Sequence, residues 1–387
     1  MNTNLWRRVR RGFSIRDRLG ESRAWVYGGL VRTTWAAALA WRLRRHHLEP
    51  GSEAASVEDV VERLVALPAW SGDPQLAIRS RLGASGADSV DDAVAAGRII
   101  KVFAFRGATH LMTPQQAADH LALRAVGRMW ERASWRSHYA LEPEDWPPLR
   151  AAVREARSDG PLTPEEVAAQ VTTDARFAHL REALSRFDTF LKPFFWQGDV
   201  CFGPLHDGRP TMQALADNPR WPGIPDLDDA GRRAVIAYLG AYGPAPVARL
   251  QYWLGEGLGA GRKRIEGWIR DLDDRLVRLD IEGAETLVLD EHVDALSAPA
   301  PSQAVRLLPG HDQWVLGPGT ADAVVVPAAA RTAVTRGANL VLVGGVFRGS
   351  WRLRDGKVVI ETWTDDEVPR EPLASEVARI EGLFPAR

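Results

Sequence analysis

Hydrophobic positions recur every three to four residues over residues 57–67, which predicts an amphipathic helix. Ser56 precedes this stretch and can accept a hydrogen bond at the helix start. Pro68 disfavours helical geometry at the residue before it, and Gly72 and Pro74 keep the following chain irregular. The pattern therefore predicts a helix followed by a turn-rich loop. The apolar side of the helix consists of Val57, Val60, Val61, Leu64, Val65 and Leu67.

Short helices followed by a pair of strand-like runs occur about three times along the chain. A helix over Thr34–Leu48 comes first, and helical patterns then fill residues 57–95, 113–187 and 228–272. Several short helices that end in a β-hairpin are typical of a winged helix-turn-helix module. The strand-like runs that end the three rounds cover residues 99–106 with 109–112, 190–197 with 200–204, and 276–281 with 286–289.

The C-terminal part has a different pattern, with short β-like runs and one closing helix over 375–384. We therefore predict an α+β fold, in which tandem winged helix-turn-helix modules precede a β-rich, barrel-like domain. The predicted strands of that domain cover 305–308, 314–316, 323–326, 340–343, 349–354 and 357–362. The predicted divisions are a basic extension at 1–24, three modules at 25–113, 114–215 and 227–297, and the β-rich domain at 303–387.

Charge is distributed unevenly in a chain whose formal net charge is only −1 over 387 residues. Residues 1–50 contain eleven arginines and three carboxylates. A basic segment of this kind fits contact with nucleic-acid phosphates, and it also fits a solvated tail. The overall content of 45% hydrophobic and 26% charged residues is that of a globular protein.

Cys201 is the only cysteine, so an intramolecular disulfide is excluded and a reducing compartment is the simplest interpretation. Its apolar neighbours favour a buried, inert thiol. We find no secretory signal, and Arg32 interrupts the apolar stretch 24–41, which argues against a membrane span. We expect a cytoplasmic, nucleoid-associated monomer without a membrane partner.

Two motifs with possible chemistry have simpler interpretations. The glycine-rich run 255–261 lacks the Gly-Lys-Ser/Thr ending of a phosphate loop and follows a helix, so a turn between two helices is favoured. Arg262 and Lys263 after it can still contact a phosphate backbone. The histidines at 46, 47, 120 and 179 show no spacing typical of metal ligands, and we expect no metal and no cofactor.

Four other residues allow a functional and a structural interpretation. Arg106 and His110 share a predicted hairpin, where they either stabilise the turn or grip the DNA backbone. His311 and Asp312 resemble a catalytic pair, but with no serine or cysteine nucleophile placed beside them a structural turn is favoured.

The chain as a whole resembles the AlkZ-like family of winged-helix DNA-binding proteins, which includes DNA glycosylases. The resemblance spans most of residues 33–385 and implies tandem winged-helix motifs with a β-rich C-terminal region around a concave DNA-binding surface. The stretches that carry it are Thr34–Trp35, Ala40–Arg45, Val60–Leu67, Arg106–Leu111, Leu191–Pro193, Cys201–Pro204, Tyr238–Ala245 and Leu307–Asp312.

Active members of this family have a Gln-x-Gln or Gln-x-Asp motif after the helix that resembles Val60–Leu67. Here the aligned positions hold Pro68, Ala69 and Trp70, or Leu67 to Ala69 in the other register, and neither register contains glutamine. Asp73 is the only nearby carboxylate, and it is favoured as the cap of a helix that starts at Pro74.

The leading hypothesis is therefore a family member that binds duplex or damaged double-stranded DNA without the standard glycosylase centre. The alternatives are an active glycosylase that hydrolyses the N-glycosidic bond of alkylated purines through Asp73 or another residue, and a transcriptional regulator or scaffold. The expected DNA contacts are Arg42, Arg44, Arg45, His46, Trp70, Arg106, His110, Arg262 and Lys263.

Overall fold

A computed structural model describes residues 33–83, 89–156, 160–297, 300–363 and 368–384. The basic extension predicted at 1–24 lies outside these ranges, as does the start of the module predicted at 25–113. The first described helix is α1 (Trp35–Arg45), in which the Thr34 side chain accepts a hydrogen bond from the Ala37 N–H. This contact satisfies one of the free N–H groups at the helix start.

The first helical unit contains the predicted amphipathic helix. Ser56 and Asp59 form reciprocal hydrogen bonds at its start, and the helix ends at Leu64 because Val65 has a left-handed φ of 67°. Its apolar side is buried against α3, α4 and the central strand of the sheet, β3. The elements of this unit are α2 (Val57–Leu64), β1 (Leu67–Pro68), α3 (Pro74–Arg79), α4 (Val90–Ala95), β2 (Ile100–Phe103) and β3 (Thr109–Met112).

The second helical unit differs from the prediction at its hairpin. Residues 190–197 were expected to form a strand, but they contain the buried helix α10, and β4 pairs with the later strand β5. An apolar run that is buried on all sides looks the same in a helix and in a strand, and this explains the error. The elements are α5 (Pro114–Ala125), α6 (Ala133–Tyr139), α7 (Trp146–Ala156), α8 (Pro164–Val171), α9 (Arg181–Leu184), α10 (Lys192–Trp196), β4 (Val200–Phe202) and β5 (Met212–Ala214).

The third helical unit contains the predicted hairpin, which has six residues in each strand and whose second strand begins at Ala284, two residues earlier than predicted. A π-helical segment, Gln251–Glu256, includes the first two residues of the glycine-rich run 255–261, and the last three residues of that run form the turn before α13. The elements are α11 (Leu227–Tyr242), α12 (Val247–Leu250), α13 (Arg262–Asp271), β6 (Leu276–Ile281), β7 (Ala284–Leu289) and α14 (Val293–Leu296).

The three units share one connectivity. In each of them the segment that follows one helix, α2, α7 or α11, pairs antiparallel with the second strand of the later hairpin. The pairs are Leu67 with Leu111, Leu162 with Met212, and Ala245 with Leu287. In the first unit this pairing gives a three-stranded sheet of order β1-β3-β2.

The C-terminal region contains an open antiparallel sheet of order β11-β10-β9-β8. The expected barrel-like closure is not found, because no pairing joins β8 to β11 in the described ranges; helix α17 instead contacts both of these edge strands. Residues 314–316, predicted as a strand, form helix α15, which Asp312 caps. The elements are β8 (Val305–Leu308), α15 (Gln313–Leu316), α16 (Arg331–Thr335), β9 (Asn339–Val343), β10 (Val346–Arg354), β11 (Lys357–Thr362) and α17 (Arg370–Leu383).

Helix α1 packs away from the first unit, although the sequence suggested that it belongs there. Leu39 and Leu43 are buried with Trp314 of the C-terminal region. Ala38 and Trp41 are buried against the β6–β7 hairpin. The helix therefore fills the space between the third unit and the C-terminal sheet.

None of the described helices is long and apolar enough to span a lipid bilayer. Within the same ranges, no three histidine, cysteine, aspartate or glutamate side chains come together in an arrangement that holds a metal ion.

Candidate functional site

The loop after β1 begins buried and then reaches the surface. Pro68 is buried and pairs with His110, and the Ala69 N–H donates to the Thr109 carbonyl at 2.9 Å. The next residue, Trp70, exposes 49% of its surface. The Asp73 carboxylate accepts a hydrogen bond from the Leu76 N–H at 2.8 Å and so caps helix α3.

This loop lies against the loop that follows β8. Ser71 Oγ is 2.8 Å from Nδ1 of His311, 240 residues further along the chain. The Trp70 and His311 ring centroids are 4.9 Å apart, with a tilt of 35°. A Cβ atom at Gly72 would overlap the carbonyl oxygen of Gly310, so the two backbones touch where both residues are glycine.

The hydrogen-bond partner of the second ring nitrogen fixes the tautomer of His311. Nε2 is 3.2 Å from the Thr335 carbonyl oxygen, which can only accept a hydrogen bond. Nε2 therefore carries the proton, and Nδ1 accepts the hydrogen bond that the Ser71 hydroxyl donates. A structural turn was favoured from the sequence because no serine was placed beside His311, and tertiary folding supplies that serine.

A buried ion pair holds the His311 loop in place. The Arg81 guanidinium donates to both Asp312 oxygens, at 2.9 and 2.7 Å, and both side chains are fully buried. Asp312 also accepts from the Trp314 N–H at 2.7 Å, and the Gln313 side chain donates to the Ala66 carbonyl. These contacts attach the His311 loop to the first unit at Ala66, before the Trp70 loop, and at Arg81, after it.

The turn between β2 and β3 forms the next part of the surface. Arg106 has a left-handed φ of 51°, and 51% of its side chain is exposed. Its guanidinium lies 4.6 Å from the centre of the Tyr252 ring and 3.9 Å from the exposed Glu256 carboxylate. The Tyr252 ring contacts the backbone at Gly319, and the Thr320 hydroxyl is 2.8 Å from that of Thr335. Contacts therefore connect the hairpin turn to the His311 loop.

His110, the other polar residue of the predicted hairpin pair, faces inward. It is 5% exposed, and its Nδ1–H donates to the Ala108 carbonyl at 3.0 Å. Burial lowers the pKa of His110 to about 4, so the ring is neutral at pH 7. Of the two side chains, Arg106 is accessible at the surface, whereas His110 is buried and bonded within the turn.

Two more cations lie beside the hairpin turn, each over an aromatic ring. Lys192 Nζ is 5.2 Å from the centre of the Phe103 ring and close to Gly107. The Arg124 guanidinium is 4.4 Å from the centre of the Trp196 ring. Burial lowers the pKa of both groups; for Lys192 the Asp188 carboxylate opposes this effect and the Arg124 charge adds to it. In the described part of the chain, neither cation forms a salt bridge with a carboxylate.

Arg124 also lies close to the start of α13. Its guanidinium lies near Gly259, in the glycine-rich turn before the helix. Arg262 and Lys263 begin that helix and are both exposed, and Arg262 forms an ion pair with Glu266 at 2.8 Å. The two residues predicted at this helix start therefore lie near the cations of the hairpin turn.

The predicted DNA contacts of α1 have a different environment. Arg42 is 3% exposed and donates to the Tyr242 carbonyl at 2.7 Å. Arg45 donates to the Gly240 carbonyl at 2.8 Å, and fully buried His46 lies 2.9 Å from the Ala241 carbonyl. Burial lowers the pKa of all three groups, to about 10 for Arg45, where the Arg63 charge also contributes.

These three α1 side chains satisfy carbonyl groups in the last turn of α11. Cationic and N–H donors are favourable at that end of a helix, where carbonyls lack intrahelical partners. We therefore remove Arg42 and His46 from the expected DNA contacts, since neither has accessible surface. Arg45 is partly buried, and Arg44 is the exposed member of the group.

Comparisons with known proteins give a consistent result. A family model described as DNA glycosylase AlkZ-like matches residues 61–383. The chain is 34% identical over 363 residues to a Streptomyces sahachiroi protein named interstrand DNA cross-link repair glycosylase, a match that covers 90% of this chain and 96% of the other. It also resembles the solved structure of the Streptomyces sahachiroi DNA glycosylase AlkZ, with a TM-score of 0.83, 33% identity and coverage of 91% and 97% of the two chains.

Proposed function

We propose that this chain, which belongs to the AlkZ-like DNA glycosylase family, binds double-stranded DNA and recognises a damaged base at Trp70. The observation that carries the proposal is the exposed indole of Trp70, which stands where the family resemblance implies a catalytic glutamine. An exposed tryptophan in a turn provides an apolar surface on which a base can stack. Recognition is therefore proposed to occur at the family's catalytic position.

The chemistry of the indole favours a particular class of lesion. The face of an indole is electron-rich and attracts cations, more strongly than the face of tyrosine or phenylalanine. A purine alkylated on a ring nitrogen is a flat cation, so it can both stack on Trp70 and interact with the ring electrons. We propose cationic N-alkylpurines as the lesions that this surface prefers over unmodified bases.

The side chains at these positions do not supply the amide chemistry of the family's standard centre. Pro68 is buried in β1 and has no polar side-chain atom. Trp70 has a single N–H donor and no acceptor, so it cannot accept a hydrogen bond from an attacking water. Our proposal is therefore lesion recognition without the standard glycosylase centre.

Phosphate contacts are proposed for the cations that surround the hairpin turn. Arg106, Lys192 and Arg124 lie on one continuous surface, and Arg262 and Lys263 extend it. Aromatic rings hold the first three charges in place, and Arg106 alone of the three has a described carboxylate, the exposed Glu256, within 4 Å, so these charges are proposed to meet phosphates. The surface begins beside Trp70, since β1 and β3 are paired.

We also propose that each of the three helical units is a winged-helix module, in the divisions 25–113, 114–215 and 227–297. The antiparallel pairing that they share supports this: in each unit a segment between two helices pairs with the second strand of the later hairpin. In the first module, Arg106 lies at the tip of the wing. The proposed protein acts as a monomer in the cytoplasm, where it associates with DNA.

The test is a binding titration with two duplexes that differ only by one 7-methylguanine. We expect tighter binding of the methylated duplex and a steep loss of affinity with salt for both. Trp70→Ala should abolish the preference and leave affinity for the unmodified duplex nearly unchanged. Trp363→Ala is the matched control, since Trp363 is also an exposed tryptophan but lies beside the C-terminal sheet. Equal binding of the two duplexes by the wild type would contradict the proposal.

A second candidate function is base release through a centre other than the two glutamines. One observation favours it: the Ser71 hydroxyl donates to the His311 imidazole next to Trp70. Asp73, the carboxylate that the sequence suggested for this role, is instead engaged as the cap of α3.

A further inference from the structure

We infer that Ser71 and His311 form a proton-accepting pair that activates water to hydrolyse the N-glycosidic bond of a cationic alkylpurine. The inference rests on the proposed function, because it requires that the damaged base stack on Trp70. It assigns the reaction to two side chains that stand outside the family's glutamine positions.

The direction of the hydrogen bonds suits proton transfer. The Thr335 carbonyl holds the proton on Nε2 of His311, so the lone pair of Nδ1 faces the Ser71 hydroxyl at 2.8 Å. An imidazole in this tautomer can take the hydroxyl proton, and the resulting cation keeps its hydrogen bond to the carbonyl. This is the arrangement of a nucleophile or relay group, its base and an orienting acceptor.

The pair is held in a fixed position next to the proposed base-binding surface. Trp70 and Ser71 are consecutive, so their Cα atoms are about 3.8 Å apart. A base stacked on the indole therefore brings its sugar close to the Ser71 hydroxyl. The contact between Gly72 and Gly310 and the buried pair of Arg81 with Asp312 fix the two loops against each other.

The proposed step balances without a metal, oxidant or reductant. A water molecule donates a proton to Ser71 Oγ while the hydroxyl proton moves to Nδ1 of His311. The water oxygen forms a bond to C1′ of the sugar, and the C1′–N9 bond breaks. Its electron pair goes to the purine and cancels the positive charge, so a neutral alkylated base leaves an abasic sugar. The proton on His311 then returns to solvent.

A purely structural hydrogen bond between the two loops would have different consequences, and three variants separate these roles. His311→Asn keeps a side chain that can accept the Ser71 hydrogen bond but cannot take its proton. Ser71→Ala removes the hydroxyl, and Ser71→Thr restores it. His179→Asn is the matched control, since His179 also contacts a backbone carbonyl, that of Tyr139 at 3.1 Å, but lies in the second unit.

The experiment measures base release in a single turnover from duplex DNA methylated with dimethyl sulfate, which contains 7-methylguanine and 3-methyladenine. We expect release by the wild type and by His179→Asn. His311→Asn and Ser71→Ala should each lower the rate by about 100-fold with unchanged affinity for the duplex, and Ser71→Thr should recover most of it. The unfolding temperature of each variant is measured in parallel.

The outcomes distinguish this inference from the proposed function. If the wild type binds the methylated duplex but releases no base, the inference is wrong and lesion recognition stands. If the wild type shows no preference for methylated DNA, the proposed function fails as well. If Ser71→Ala and His311→Asn release base at the wild-type rate, the hydrogen bond is structural only. Should His311→Asn not fold, the pair of Ser71 variants decides the question.

Discussion

Helix α5 has cationic groups at both of its ends, and the two groups have different partners. A cavity of about 560 Å³ lies at its first turns. It is lined by the cations of Arg45, Arg63 and Arg233 and by the carboxylates of Glu62, Asp119 and Glu291. Arg233 donates to Asp119 at 2.6 and 3.0 Å. At the last turn Arg124, together with Lys192 and Arg106, lies over aromatic rings.

The difference decides which cations are available to a phosphate. A guanidinium already bound to a carboxylate or to helix carbonyls contributes to folding, and its charge is compensated inside the protein. Arg124 and Lys192 lie over aromatic rings and form no salt bridge with a described carboxylate, whereas Arg106 lies over Tyr252 with the exposed Glu256 carboxylate 3.9 Å away. The proposed DNA-binding surface is therefore based on the partners of each cation and not on clusters of arginine in the sequence.

The largest expected effect is on stability, at Arg42. Arg42→Ala should lower the free energy of unfolding by about 3 kcal/mol, because it removes charged hydrogen bonds to the Tyr242 and Pro244 carbonyls in a buried place. Urea denaturation measures this change. Arg44→Ala, at an exposed position two residues further, is the control and should change stability by less than about 0.5 kcal/mol. If folded Arg42→Ala lost affinity for DNA instead, the assignment of internally bonded arginines to folding and not to DNA binding would be incorrect.

The next effect is a loss of stability in acid, from the buried histidines. Burial lowers the pKa of His110 from 6.5 to about 4, and it also lowers the pKa of His46. The unfolded chain therefore binds these protons more readily, so this contribution to stability is intact above pH 6.5 and is lost as the pH falls to about 4. For His110 the loss between pH 7 and pH 5 should be about 2 kcal/mol. Urea titrations at both pH values should show a smaller difference for His110→Gln, and an equal difference would contradict this assignment.

The smallest effect in free energy concerns DNA binding, at Arg106. Arg106→Ala should raise the Kd for duplex DNA by about tenfold and reduce the slope of log Kd against log salt by about one, since one phosphate contact is lost. Stability should remain unchanged, because half of the side chain is exposed. Fluorescence anisotropy over a range of salt concentrations measures both quantities. Glu256→Gln, which removes the carboxylate 3.9 Å away, should tighten binding slightly.

Much of the secondary structure could be predicted from local patterns. The cap at Ser56, the hairpin of β2 and β3 and the hairpin of β6 and β7 all follow from residues close in sequence. The helix at residues 192–196 could not be recognised, because an apolar run buried on every side has no period that separates helix from strand. The open C-terminal sheet depends on the position of α17, which strand patterns do not indicate.

The candidate site was predictable only in part. The loop at Trp70 and the absence of glutamine from it are local features. The partner of Ser71, by contrast, is 240 residues away, and no local pattern connects the two. The inward orientation of Arg42 and His46 likewise depends on where α1 packs against α11, so the arginine content of α1 does not reveal which of its cations reach the surface.

The contact of Gly72 with Gly310 has a consequence for protein synthesis. A chain that leaves the ribosome from its N-terminus can fold the first helical unit as soon as residue 112 has emerged. The loop that carries Trp70 then has no surface to lie against, because His311 and its neighbours are among the last quarter of the residues to be made. A nascent chain, or one truncated before residue 310, therefore lacks the surface against which the Trp70 loop lies, and this contact can form only after the segment with Gly310 and His311 has been made.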